Sequence, residues 1–236
     1  MSVVLVTGGT RGIGAAIADA FAADGATVVV CGRREPAESP HAFLPCDVRE
    51  AEACAALIDQ VVERFGRLDV LVNNAGGSPP VDAATASPRL SEKILKLNLL
   101  APLWLSQAAQ AVMDPGVIIN IASVAGMRAA PTVAAYGAAK AGLINLTKSL
   151  AVEWAPRVRV VAVTPGLVAT DESREHYPDF DAVAATVPLG RFGSPTDIAQ
   201  ACLWLASDAA SYISGANLVL DGGGEWPAFL RIRGNE

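Results

Sequence analysis

The chain has 236 residues, 52% of them hydrophobic and 18% charged, which supplies one sizeable core and lies far from the composition of disorder. Its formal charge of −6 disfavours sequence-independent binding to nucleic acid or anionic lipid, which needs clustered Lys and Arg. Four cysteines without a C-x-x-C pair, and only two histidines, argue against a zinc cluster or a disulfide framework and fit a reducing compartment.

From Met1 the chain enters Val3-Val4-Leu5-Val6 with no basic leader, which reads as a first strand and not as a secretion signal. Similar β-branched runs at 27–31, 42–46, 69–73, 117–121, 158–164 and 217–220 are apolar at successive positions, as strands buried on both faces are. Ala-rich segments of helical length separate them, at 13–23, 50–65, 88–113, 133–154 and 196–206. The alternation predicts a doubly wound α/β fold: one domain over 1–236, a parallel sheet with helices on both faces, and right-handed crossovers. Ligands of such sheets bind beyond the carboxyl ends of the strands. The segment 32–41 holds Pro36 and Pro40 and is too short and broken for a crossover helix, so a loop is expected there. The charge-free stretch 97–113 contains Asn98, Pro102, Ser106, Gln107 and Gln110, which suits a buried helix better than a membrane span. A soluble, cytoplasmic protein is expected.

After the first strand, Thr7-Gly8-Gly9-Thr10-Arg11-Gly12-Ile13-Gly14 turns directly into a helix, so backbone amides and the positive helix end can meet a pyrophosphate. Tyr136 and Lys140 stand four apart and share one helix face, where an ammonium would favour the phenolate and bring a tyrosine toward working range. Ser123, at the carboxyl end of the fifth strand, is placed to hydrogen-bond an oxygen on which charge develops. The second strand ends Cys31-Gly32-Arg33-Arg34, with no carboxylate to repel a 2′-phosphate; Arg33 and Arg34, with Arg11, are candidates to receive one.

With Asp47-Val48, Asn73-Asn74-Ala75-Gly76, Asn98, Pro165-Gly166, Thr170 and the run 213–223, these motifs occur in the order and spacing of one family. The chain resembles the short-chain dehydrogenase/reductase superfamily over nearly its whole length, and most closely the 3-oxoacyl-carrier-protein reductase-like branch. The resemblance implies a Rossmann-type sheet of seven strands and hydride transfer between NADP(H), favoured over NAD(H), and a small-molecule carbonyl or secondary alcohol. It further implies a catalytic set of Asn98, Ser123, Tyr136 and Lys140, with Tyr136 as general acid/base, Lys140 also on the nicotinamide ribose, and the Asn98 carbonyl on a water. Gly8, Arg11, Gly12, Ile13 and Gly14 would hold the pyrophosphate, with Arg33 the phosphate-selecting residue and Arg34 its spare. Asp47, Val48, Asn74, Ala75 and Gly76 would line the adenine side, and Pro165, Gly166, Val168 and Thr170 the carboxamide. Asp47 also stands where the next helix could take its N-cap.

The polar and aromatic segment 171–192 is expected to be a substrate lid, with its His176 outside the catalytic set. The family commonly forms tetramers, so a homotetramer or dimer is expected, and the apolar tail 225–236 is expected to dock on a neighbouring subunit or near the lid. Two other readings stay open: an NAD-linked dehydrogenase of an alcohol or sugar, and a non-catalytic NADP(H)-binding sensor or scaffold.

Overall fold

A computed structural model describes residues 1–226, apart from the side chain of His176. Seven strands form one parallel sheet in the order β3-β2-β1-β4-β5-β6-β7. They are β1 (Val3–Thr7), β2 (Thr27–Gly32), β3 (Ala42–Pro45), β4 (Val70–Asn73), β5 (Gly116–Ile121), β6 (Val158–Pro165) and β7 (Asn217–Leu220). The order reverses between β1 and β4, and there the connections leave in opposite directions and open a crevice at the carboxyl edge.

Every residue of β1, β4 and β5 is buried, because side chains alternate between two apolar layers. Val3 and Leu5 face α2 (Ala51–Phe65), α4 (Ala101–Val112) and α5 (Ala134–Glu153); Val4 and Val6 face α1 (Gly12–Ala23) and α8 (Pro195–Ala206). Polar side chains cross the first layer in a chain of hydrogen bonds, in which Asn73 Oδ1 is buried without a hydrogen-bond partner among the described residues. Asn73 Nδ2 donates to Ser106 Oγ at 3.1 Å and to Asn120 Oδ1 at 2.9 Å, and Asn120 Nδ2 donates to Thr147 Oγ1 at 2.9 Å. These bonds fix α4 and α5 against the strand ends that carry the site.

The expectation that all seven strands are buried on both faces fails at the sheet's edges. All four residues of β7 are half-buried and Pro45 in β3 is exposed, since an edge strand lacks a neighbour on one side. Gly32 still belongs to β2, and the rest of the expected segment, 33–41, is a loop, as its prolines require; His41 Nε2 ties it to Asp19 of α1 at 2.8 Å. The single helix expected over 88–113 is instead α3 (Pro88–Leu95), a π turn at Lys96–Leu100 and α4, in unbroken succession. Two short helices, α6 (Asp171–His176) and α7 (Phe180–Ala184), occupy part of the 171–192 segment. Among the described residues no helix is long and apolar enough to cross a membrane.

Candidate active site

Above the reversal point lies a cleft of about 690 Å³. Its floor begins at the glycine turn. Gly8 and Gly12 adopt φ of +63° and +55°, values that an L side chain resists, and Gly8 N–H donates to the Cys31 carbonyl at 2.9 Å. Arg11 is the N-cap of α1 but makes no side-chain cap bond, so the first-turn amides of Gly12, Ile13 and Gly14 border the cleft without a side-chain acceptor. This is a cradle of the kind that takes a pyrophosphate. The turn is stapled to the end of β4: Thr7 Oγ1 accepts from Asn74 N at 3.0 Å and Ala75 N at 2.9 Å, and Asn74 Nδ2 donates to the carbonyls of Thr7 and Gly8 at 2.9 and 3.2 Å.

Arg33 lines the cleft, whereas Arg34 is exposed outside its wall. Arg11 pairs with Glu172 of α6 at 2.6 Å, so its guanidinium is bound across the cleft instead of converging with Arg33. Asp47 does not cap the following helix, whose N-cap is Glu50. Its carboxylate takes Arg49 in a fork, with Nε to Oδ1 at 2.8 Å and Nη2 to Oδ2 at 2.5 Å, and this hydrogen bonding holds it down at about 2. The sequence reading missed Arg49, whose signal was the spacing Asp47-x-Arg49 beside the expected adenine residues. Asp47, Val48, Asn74, Ala75 and Gly76 line the cleft, as do Pro165, Gly166, Val168 and Thr170 on the far side. The Thr170 hydroxyl is committed to a reciprocal cap with Ser173: it accepts from Ser173 N at 3.2 Å, while Ser173 Oγ accepts from Thr170 N at 2.9 Å.

At the inner end of the cleft Ser123, Tyr136 and Lys140 come together. Ser123 caps the 3₁₀ turn Val124–Gly126, accepting from Ala125 N at 3.1 Å, and hydrogen-bonds Tyr136. A Cβ on Gly126 would stand 2.6 Å from backbone atoms of Lys140 and Ala141, so only glycine lets this turn lie on α5 and bring serine to tyrosine. Burial pushes the Tyr136 phenol above its ordinary value, and the Ser123 hydrogen bond offsets part of this. The expected lowering by Lys140 does not prevail. Its Nζ is 5.6 Å from the centre of the tyrosine ring and donates to the Ile121 carbonyl at 2.7 Å, and burial brings the lysine itself down to about 8.

Asn98 is fully buried behind the cleft, in the π turn. Its side chain is consumed structurally: Oδ1 accepts from Gly77 N, and Nδ2 donates to the Gly77 and Ile94 carbonyls, each at 2.9 Å. Pro102, four residues on, has no N–H to offer the Asn98 carbonyl. Gly76 lies between this asparagine and the lysine, since a Cβ there would be 2.8 Å from Asn98 Oδ1 and 3.3 Å from Lys140 Nζ.

Residues 8–225 match the family described as enoyl-(acyl carrier protein) reductase. The chain belongs to the short-chain dehydrogenase/reductase superfamily, whose members are oxidoreductases. It is 43% identical to an uncharacterized short-chain type dehydrogenase/reductase of Sinorhizobium fredii, with 94% of this chain aligned to 43% of that longer protein. It is 39% identical to 3beta-hydroxysteroid dehydrogenase 1 of Eggerthella lenta, covering 93% of this chain and 92% of the relative. Among solved structures, the ligand-free aldohexose dehydrogenase of Thermoplasma acidophilum superposes with a TM-score of 0.89 at 32% identity, over 94% of this chain and 93% of that one. This family member thus shares the seven-stranded Rossmann-type sheet of its relatives.

Proposed function

We propose that the protein transfers a hydride between NADP(H) and a carbonyl or secondary alcohol, with Tyr136 as general acid/base. The carrying observation is the meeting of Ser123, Tyr136 and Lys140 at the inner end of a cleft whose outer end is a glycine turn and an uncapped helix start. The nucleotide, when bound there, supplies or accepts the hydride. In the reducing direction the Tyr136 hydroxyl gives its proton to the carbonyl oxygen while the Ser123 hydroxyl steadies the charge growing on it. Lys140, held by the Ile121 carbonyl, positions the ribose and stands next in line to return a proton to Tyr136. The Asn98 carbonyl, which Pro102 leaves without its i+4 donor, connects that lysine to water.

Arg33 in the cleft wall, with no carboxylate at Gly32, supports NADP(H). Fluorescence titration with NADPH and NADH tests this: NADPH should bind at least tenfold more tightly, and Arg33→Ala should remove most of the difference. Equal affinities would favour the second reading, an NAD-linked alcohol or sugar dehydrogenase. That reading draws support from the commitment of Arg11 to Glu172 and from the activity named for the aldohexose dehydrogenase. Helices α6 and α7 act as the substrate lid in this proposal. The exposed Val112 of α4, Val152 of α5, Trp204 of α8 and Tyr212 support assembly into a homo-oligomer, which light scattering would detect. The expected docking of the tail lies, beyond Trp226, outside the described residues.

A further inference from the structure

A second cavity, of about 610 Å³, adjoins the cleft and shares Ser123, Gly166, Leu167 and Tyr177 with it. Given the catalytic reading above, on which this inference rests, it is where the non-reacting part of a substrate must lie. Its walls are mainly apolar, from Val124 and Pro131 on one side to Leu167, Val183 and Trp226 on the other. Among the described residues lining it, the charged ones are Arg128 and Glu225. They satisfy each other through two parallel contacts, Nη1 to Oε2 at 3.0 Å and Nη2 to Oε1 at 2.5 Å, the planar fork that Arg makes with a carboxylate. Side-chain exposures of 49% and 43% put the pair at the mouth. The adjoining Trp226 N–H donates to the Thr186 carbonyl at 3.3 Å, and the Thr186 hydroxyl is spent on the Val183 carbonyl at 2.7 Å. The segment carrying Glu225 therefore spans the mouth from the loop of Arg128 to the end of α7.

An ion pair this exposed adds little to folding stability. Its effect is chemical. Without Glu225, Arg128 would present an open two-pronged receptor for a carboxylate beside an apolar cavity; with it, the receptor is filled from within the chain. We propose that the cavity selects an uncharged, largely apolar carbonyl compound, and that Glu225 is the specificity-determining residue that excludes carboxylate-bearing analogues by occupying Arg128. Cavities of roughly 300–1,000 Å³ hold compounds of drug-like size, so the substrate can be larger than a simple short-chain ketone.

Two probes share one ketone ring and differ only in charge: ethyl 4-oxocyclohexanecarboxylate and 4-oxocyclohexanecarboxylate. With both NADPH and NADH supplied, the wild-type protein should show kcat/KM at least tenfold higher on the ester. Glu225→Gln should raise the value on the acid at least tenfold, and the Arg128→Gln/Glu225→Gln double variant should lose that gain. Equal use of the two probes by the wild type, or a ratio unmoved by Glu225→Gln, overturns the proposal. If neither is turned over, their dissociation constants from the nucleotide-saturated Tyr136→Phe protein decide. Tenfold tighter ester binding upholds the neutral cavity and counts against the catalytic reading alone; equal binding, tighter acid binding or binding of neither overturns the cavity proposal itself.

Discussion

Lys140 shows what burial of a single charged side chain costs. It is fully enclosed, with one carbonyl partner, and burial lowers its ammonium from 10.5 to about 8. A folded-state value below the unfolded one means that the charged form opposes folding. The penalty is present in full below pH 8 and fades as the pH rises from about 8 to 10.5, where the unfolded chain binds more protons than the folded one. The shift corresponds to about 3 kcal/mol. In urea titrations without added nucleotide, the stability of wild type minus that of Lys140→Met should rise by about that amount between pH 7.5 and pH 10.5. A flat difference would mean that water reaches the ammonium. Tyr136 has the opposite sense: burial raises it, so the phenol stays protonated through neutrality, as the proposed reduction requires of a donor, and the proposed alcohol oxidation should quicken as the pH climbs. Spacing alone brought Tyr136 and Lys140 to one helix face, but it could not show that burial outweighs their mutual charge effect. That balance depends on what packs over α5.

At the scale of elements, legibility followed the strength of the local pattern. The central strands were plain because Val, Leu and Ile fill both faces, and the loop at 33–41 because two prolines forbid a helix. The half-exposure of β7 depends on its place in the sheet order, which its own residues Asn217-Leu-Val-Leu do not encode. The π turn within 88–113 had a local signal in Pro102, but the extra residue per turn comes from seating Asn98 on the Gly77 loop. Helix α6 was missed although Thr170-x-x-Ser173 is a capping pair, because six residues give no periodicity to see. Mostly exposed, α6 depends on that cap and on the Arg11–Glu172 bridge. Thr170→Val should remove about 1 kcal/mol of local stability. Limited proteolysis should then cut within 171–176 faster, while the melting temperature of the whole protein stays within about 2 °C, since the core is untouched. A cooperative loss of Tm would show instead that α6 belongs to the core.

Across the whole molecule, the reversal of strand order divides the site in two. The first half rises from β1, β2 and the loop after β3 and presents the glycine turn, Arg33 and the Asp47–Arg49 pair; the second rises from β4, β5 and β6 and presents Ser123, Tyr136 and Lys140. Where β1 meets β4, the Thr7–Asn74 staple joins them directly, and the Arg11–Glu172 pair joins them across the cleft. The halves share a rigid floor, because both apolar layers include residues of β1 and β4, and the Thr7–Asn74 staple fixes the two strand ends to each other, so a change at Arg33 or Ser123 leaves the other half's shape intact. Changes in different halves should therefore act independently, and changes within one half should not. Measured as kcat/KM, the losses from Arg33→Ala and Ser123→Ala should add to within about 0.5 kcal/mol in the double variant. Ser123→Ala and Tyr136→Phe disrupt a single hydrogen-bonded unit, so the second change should cost far less once the first is made. Tyr136→Phe alone should lower turnover by at least a thousandfold with nucleotide affinity within twofold of wild type, because in the proposed reaction the phenol hydroxyl moves a proton at the chemical end while the nucleotide is gripped mainly at the glycine turn. Strong coupling between Arg33 and Ser123 would point to closure of α6 over the cleft as the slow step, since Arg11–Glu172 is the bridge from that helix to the first half.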